Sequence, residues 1–188
     1  MAKELISHSK YKNVIVSKTD MRKLKSGLKI KMQVLASHII KQLTYIGEES
    51  VKIAREKGSY NDITGNLRSS IGYIVLYDGK PVAQGGLQQV QGRGENMTLV
   101  KYKTKSGKEV KYWAKGANGD GSKGIAKGQE LLKKLQAKFP RGIVLIVCAG
   151  MNYAAYVEAL HHKDVLTSAE LRAEALANKL LKGLTEPK

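Results

Sequence analysis

Cysteine occurs once in this chain, at position 148, so no disulfide can form within it, and a reducing compartment suits it. Carboxylates are scarce as well: 16 acidic residues face 33 lysines and arginines, giving a formal charge of +17. They are also scattered, so no two-metal nuclease cluster emerges from them. Long hydrophobic runs are missing. The longest, IVLIVCA from Ile143 to Ala149, is far too short to span a bilayer. The opening MAKELISHSK lacks the apolar core of a signal peptide. These absences lead to the expectation of a soluble intracellular product with no membrane partner.

What is present is positive charge, and it is concentrated. Eight lysines and arginines lie between Lys10 and Lys31 against Asp20 alone. Six lysines lie between Lys101 and Lys115 against Glu109 alone. These two stretches hold +12 of the +17 in about a fifth of the chain. Like charges at this density repel one another, so they are either two solvated faces or surfaces that meet a polyanion or an acidic partner. A length of 188 residues and 42% hydrophobic content allow a real core, and 19 glycines imply several loops.

Periodicity sets the organisation. Thr19 or Asp20 can cap a helix running from about Asp20 to Lys57, bent near Gly47. Its apolar stripe is Leu28, Met32, Leu35, Ile39, Leu43, Ile46 and Ile53. Arg22, Lys25 and Lys29 share a different face of it. Gly58 ends this helix, Asn61 and Asp62 favour a turn, and Thr64 can cap one short helical turn through Asn66 and Leu67. SSIGYIVLY reads as a strand, and residues 79–94 as a Gly/Gln-rich loop. MTLVKYKTKSGKEVKYWA reads as a β-hairpin, IAKGQELLKKLQAKF as an amphipathic helix stopped by Pro140, and GIVLIVCAG as a buried strand. NYAAYVEAL is a strand end or a helical turn, and a C-terminal helix follows, capped by Thr167 or Ser168. The expected fold is a single α+β domain over residues 1–188, with long N-terminal and C-terminal helices packed on a mainly antiparallel sheet. Residues 87–128 form a lysine-rich hairpin insertion within it.

Signatures of catalysis are weak. Gly119, Gly121 and Gly124 fit G-x-G-x-x-G, but they follow a lysine-rich segment rather than a buried parallel strand, which favours a plain glycine-rich loop. His161 and His162 are adjacent and have no cysteines nearby, so a surface role outweighs metal binding. Ser69 and Ser70 lack the context of an esterase nucleophile and read as strand-edge hydroxyls. The chain is therefore expected not to be an enzyme, with no catalytic, metal-binding or cofactor-binding residues and no cofactor.

Two blocks carry more information together than apart. The first, YNDITGNLRSSI, supplies Asp62, Thr64, Gly65, Asn66, Leu67, Arg68, Ser70 and Ile71. The second, NYAAYVE, supplies Tyr153, Ala154, Tyr156, Val157 and Glu158. In that order, after a long first helix and before a last one, they resemble the tail-completion or head–tail joining (neck) proteins of tailed phages and prophages, minor virion components of siphophage-like type. The resemblance covers roughly residues 20–86 and 142–181. The chain departs from the family pattern after Glu158, where ALHHKDVLTSAEL replaces a glycine–threonine turn and a P-F-L segment. The lysine-rich segment is also larger than a minimal member needs.

The resemblance implies a virion structural protein, made in the bacterial host cytoplasm. It would form a ring of six or twelve copies at the head–tail junction, beside portal and tail proteins, with the genome passing through. Asp62, Thr64, Gly65, Asn66, Leu67, Arg68, Tyr153, Tyr156 and Glu158 are then its motif and interface residues. Arg68 would present its five donors, exposed, to a carboxylate of the same or an adjacent subunit, with Asp62 and Glu158 as partners within the domain. Arg22, Lys25, Lys29, Lys101, Lys103, Lys105, Lys108 and Lys111 are candidates for sequence-independent contacts with double-stranded DNA or with an acidic protein. A tail-terminator ring and a non-viral, sequence-independent nucleic-acid-binding protein are the alternatives. The latter explains the charge but not the paired blocks, and RNA-binding aromatic strand signatures are lacking.

Overall fold

A computed structural model of the chain describes residues 7–8, 15–16, 20–105, 107–161 and 163–185. Thr19, His162 and the side chain of His161 lie outside what is described. The chain divides into two compact units, Met1–His38 and Ile39–Lys188.

In the first unit, β1 (Ser7–His8) pairs antiparallel with β2 (Ile15–Val16). Helix α1, Met21–Lys57, starts here and continues into the second unit. Asp20 caps it, since Oδ1 accepts from the Arg22 amide at 3.0 Å. The expected apolar stripe is not buried along its whole length. Leu28 is 53% exposed, Met32 70% and Leu35 47%, and Met21, Leu24, Ile30 and Val34 are exposed with them. The spacing of these residues is helical, but periodicity specifies a face and not what covers it.

The second unit is built around strand β3, Ile71–Tyr77, whose residues Ile71 to Leu76 are all buried. β3 lies between β4 (Lys80–Gly85) and β7 (Ile143–Ala149), antiparallel to both. Strand alternation then divides the core. Ile71, Tyr73 and Val75 point to the face covered by Val51 and Ala54 of α1 and by Ala169 of α5 (Thr167–Thr185). Ile74 and Leu76 point to the opposite face and meet Leu132 of α3 (Ser122–Gln136), with Ile146 and Cys148. Helices cover both faces, which is why IGYIVLY is apolar almost throughout. Burying each such side chain stabilises the fold by about 1.5–3 kcal/mol. The long N-terminal and C-terminal helices pack on an antiparallel sheet, and the fold is α+β. Burial also pushes the Cys148 thiol up to about 11.

Several expectations are corrected here. Residues 80–85 are not loop but strand β4, joined to β3 by the two-residue turn Asp78-Gly79. Both turn residues have positive φ, 48° and 75°, as a tight Asp-Gly hairpin requires. Pro81 lacks a donor, and it is tolerated because β4 is an edge strand. Helix α1 spans Met21–Lys57 as expected, and at Gly47 the packing is close: a Cβ there would meet the Tyr73 ring at 2.5 Å. Of the two readings of NYAAYVEAL the helical one holds, as α4, Ala154–His161. The start of α5 is capped not by its own Thr167 or Ser168 but by upstream carboxylates. Glu158 Oε1 accepts from the Thr167 amide at 2.9 Å, and Asp164 Oδ1 accepts from the Ser168 amide at 3.1 Å.

Strands β5 (Met97–Lys103) and β6 (Glu109–Lys115) form a separate two-stranded antiparallel ribbon.

Candidate assembly site

The first sequence block folds as a clasp. Gly65, in the left-handed region at φ 71°, stands at the N-terminus of the one-turn helix α2, Asn66–Ser69. A Cβ on Gly65 would lie 2.0 Å from the Val90 carbonyl oxygen, so only glycine fits. The Asn66 amide donates to the Thr64 hydroxyl at 3.4 Å, so Thr64 does contribute to the start of α2, although Gly65 occupies the cap position itself.

Arg68 is buried rather than exposed, 8% accessible, because α2 turns it inward. Its Nε donates to Asp62 Oδ2, and its Nη2 donates to the Gln91 carbonyl at 2.7 Å. Asp62 is 5% accessible, and its main-chain carbonyl accepts from the amides of Arg93 at 2.8 Å and Gly94 at 3.0 Å. Of the partners considered for Arg68, the structure selects Asp62, within the same chain. Glu158 is occupied elsewhere, on α5. Burial pushes its pKa up, but hydrogen bonds from Thr167 and from the amides of Leu166, Thr167 and Val165 together bring it below its ordinary value.

The clasp holds the two segments that lead into and out of the ribbon. The Gly92 amide donates to the Gly119 carbonyl at 2.9 Å, Gly119 donates to Ile63 at 3.1 Å, and Gly121 donates to Thr64 at 2.9 Å. Asn118 Nδ2 donates to the carbonyls of Gly92 at 3.0 Å and Gly94 at 3.2 Å. The Gly124 amide reaches Asn66 Oδ1 at 3.1 Å. Gly119, Gly121 and Gly124 therefore pack against this block.

Sequence reasoning missed two members, Arg55 and Gln91, and misassigned two more, Ser69 and Ser70. Arg55, at the end of α1, donates to the carbonyls of Arg68 at 3.2 Å and Ile71 at 3.4 Å, and also to that of Gly86. Gln91 contributes only its carbonyl, which no side-chain pattern reveals. Ser69 and Ser70 are not strand-edge hydroxyls; both are buried at the end of α2. Ser69 Oγ accepts from the Val90 amide at 2.9 Å, and Ser70 Oγ donates to the Leu67 carbonyl at 2.8 Å.

The second block comes to the same place. Asp62, Thr64 and Leu67 line a cavity of about 490 Å³ together with Tyr60, Tyr153 and Val157. Leu67, Ala154 and Val165 form the small apolar core beneath it. The hydroxyl of Tyr60 is buried and has no hydrogen-bond partner among the described residues. Burial, and then the Asp62 carboxylate, push this phenol up. Tyr153 and Tyr156 are 40% and 55% exposed.

None of the basic candidates is among this cavity's lining residues. Arg22, Lys25 and Lys29 are exposed on α1, and Lys101, Lys103, Lys105, Lys108 and Lys111 are exposed on the ribbon and its tip. Among the described residues, no group of three His, Cys, Asp or Glu side chains is placed to hold a metal ion, and no helix is long and apolar enough to cross a membrane. No protein-family model, curated protein or solved structure matches the chain.

Proposed function

We propose that this chain is a structural, non-catalytic protein of a tailed-phage or prophage virion, assembling as a closed ring at the head–tail junction through which the genome passes. The observation that carries this reading is the convergence of the two blocks on one cavity: Asp62, Thr64 and Leu67 come from one, Tyr153 and Val157 from the other. Residues that would recur together for a structural reason are neighbours in space, although the ribbon and α3 separate them in sequence. Exposed apolar side chains on α1, from Met21 to Leu35, support a role in subunit contact. A heterologous contact repeated by rotation closes into a ring and buries such a surface in every copy.

The test is to locate the chain in assembled particles by electron microscopy. A ring of six or twelve copies between the portal and the tail is expected. Scattered single copies, or a position on the capsid shell, overturn the proposal.

A further inference from the structure

The β5–β6 ribbon has two chemically different faces. Its register sets Lys101 directly opposite Lys111, Lys103 opposite Glu109, and Trp113 and Lys115 on the same side. Val100, Tyr102, Val110 and Tyr112 occupy the other side, where the two tyrosine rings meet edge to face with centroids 6.2 Å apart. Every lysine of the two strands is therefore on one face. The single acid there, Glu109, lies 3.3 Å from Lys111, and both side chains are about half exposed at 53%. Four lysines against one glutamate leave this face at +3.

Like charges directly opposite one another destabilise a strand pair. The Lys101–Lys111 pair is thus unfavourable in the isolated ribbon and becomes favourable once an anion lies across it. Lysines at alternate positions repeat about every 6.6–6.8 Å along a strand, which suits a regularly repeating charge better than one carboxylate patch. Trp113, 62% exposed, lays a flat apolar surface among these lysines, and lysines with an interleaved aromatic are the combination that nucleic-acid backbones and bases engage.

We infer that the Lys101–Lys103–Lys111–Lys115 face of the ribbon binds the phosphate backbone of nucleic acid without regard to sequence, with Trp113 inside the footprint. The inference rests on the reading above for the genome as partner, and it names the face that meets it. The clasp at Asp62 and Arg68 contributes by holding the base of the ribbon.

Trp113 is the only tryptophan of the chain, so its emission reports this face alone. The full chain is titrated with a short mixed-sequence DNA duplex, following tryptophan emission and the anisotropy of a labelled duplex at several salt concentrations. Saturable quenching is expected, with a log–log salt slope of about −3.6 for four phosphate contacts. Lys101→Glu combined with Lys111→Glu should weaken binding at least tenfold and reduce the slope by about two. The control Lys133→Glu with Lys138→Glu, on and just after α3, should keep the quenching, and circular dichroism melting should be the same for all three proteins. Binding without a change in Trp113 emission, or undiminished binding by the ribbon variant, overturns the inference. Stronger quenching by polyglutamate than by the duplex also overturns it, and makes an acidic protein the partner. Sedimentation of the same samples separates the two proposals. Rings without quenching sink this inference alone, and quenching without rings sinks the ring alone.

Discussion

Arg68 and Asp62 form an ion pair inside the second unit, with side chains only 10% and 3% exposed. A pair so buried is worth little more than an apolar packing of the same shape, but breaking it is expensive. Arg68→Ala leaves the Asp62 carboxylate buried without its cation and should cost about 3–5 kcal/mol. At roughly 2–4 °C per kcal/mol for a chain of this size, the melting temperature should fall by about 10 °C. Arg68→Lys keeps the charge and loses the fork that also reaches Gln91, so an intermediate loss is expected. An unchanged melting curve for Arg68→Ala, with particle assembly abolished, would move the arginine's role to the subunit interface.

Asn118 ties the segment leaving the ribbon to the segment entering it, through the carbonyls of Gly92 and Gly94. Asn118→Ala should loosen the ribbon's base while leaving the three-stranded sheet intact. Hydrogen exchange should then speed up for amides of residues 97–115 and stay constant for residues 71–77. Equal acceleration in both would show that the clasp and the core unfold as one.

Two glycines in α1 should respond to alanine with opposite signs. At Gly27 a Cβ meets nothing within 4 Å, so Gly27→Ala should stabilise the helix by about 0.5–1 kcal/mol. At Gly47 the Cβ collides with the Tyr73 ring, and Gly47→Ala should destabilise by about 1–3 kcal/mol through overpacking. Denaturant midpoints of both variants check this, and a shift in the same direction for both contradicts the packing described.

Glu158 is held below its ordinary pKa in the folded chain, so its contribution favours folding where it is ionised. That contribution is complete above the ordinary glutamate value of about 4.3 and is lost as pH falls through the lower folded value. Acid should therefore loosen the start of α5, and Glu158→Gln should flatten the pH dependence below about pH 4.3. Melting temperature against pH for the two proteins measures it; parallel curves would remove Glu158 as the cap.

Much of the fold was legible because local chemistry reported it directly. The length of α1 follows from its helical spacing, Asp20 and Gly58, and β3 and β7 follow from short runs of β-branched residues bounded by turn residues. β4 was less visible, since KPVAQG carries a proline and few β-branched residues; only the Asp78-Gly79 turn marked it. The candidate site was legible as two blocks but not as one place. Nothing local tells Asp62 from any other turn carboxylate, or gives Gln91 a role that only its carbonyl plays.

The sequence by itself determined the charge, its concentration in two stretches, the helical and alternating periods, and the presence of a single thiol. Those properties depend on residue type and spacing along the chain. Only the tertiary structure decided that Arg68 turns inward to Asp62, that the apolar stripe of α1 is partly or fully buried from Ile39 onward but exposed at Leu28, Met32 and Leu35, and that Thr64 and Tyr153 line one cavity. The reason is the same in each case. Burial and pairing depend on which distant segments the sheet and its helices bring together, and periodicity encodes a face but not its neighbour.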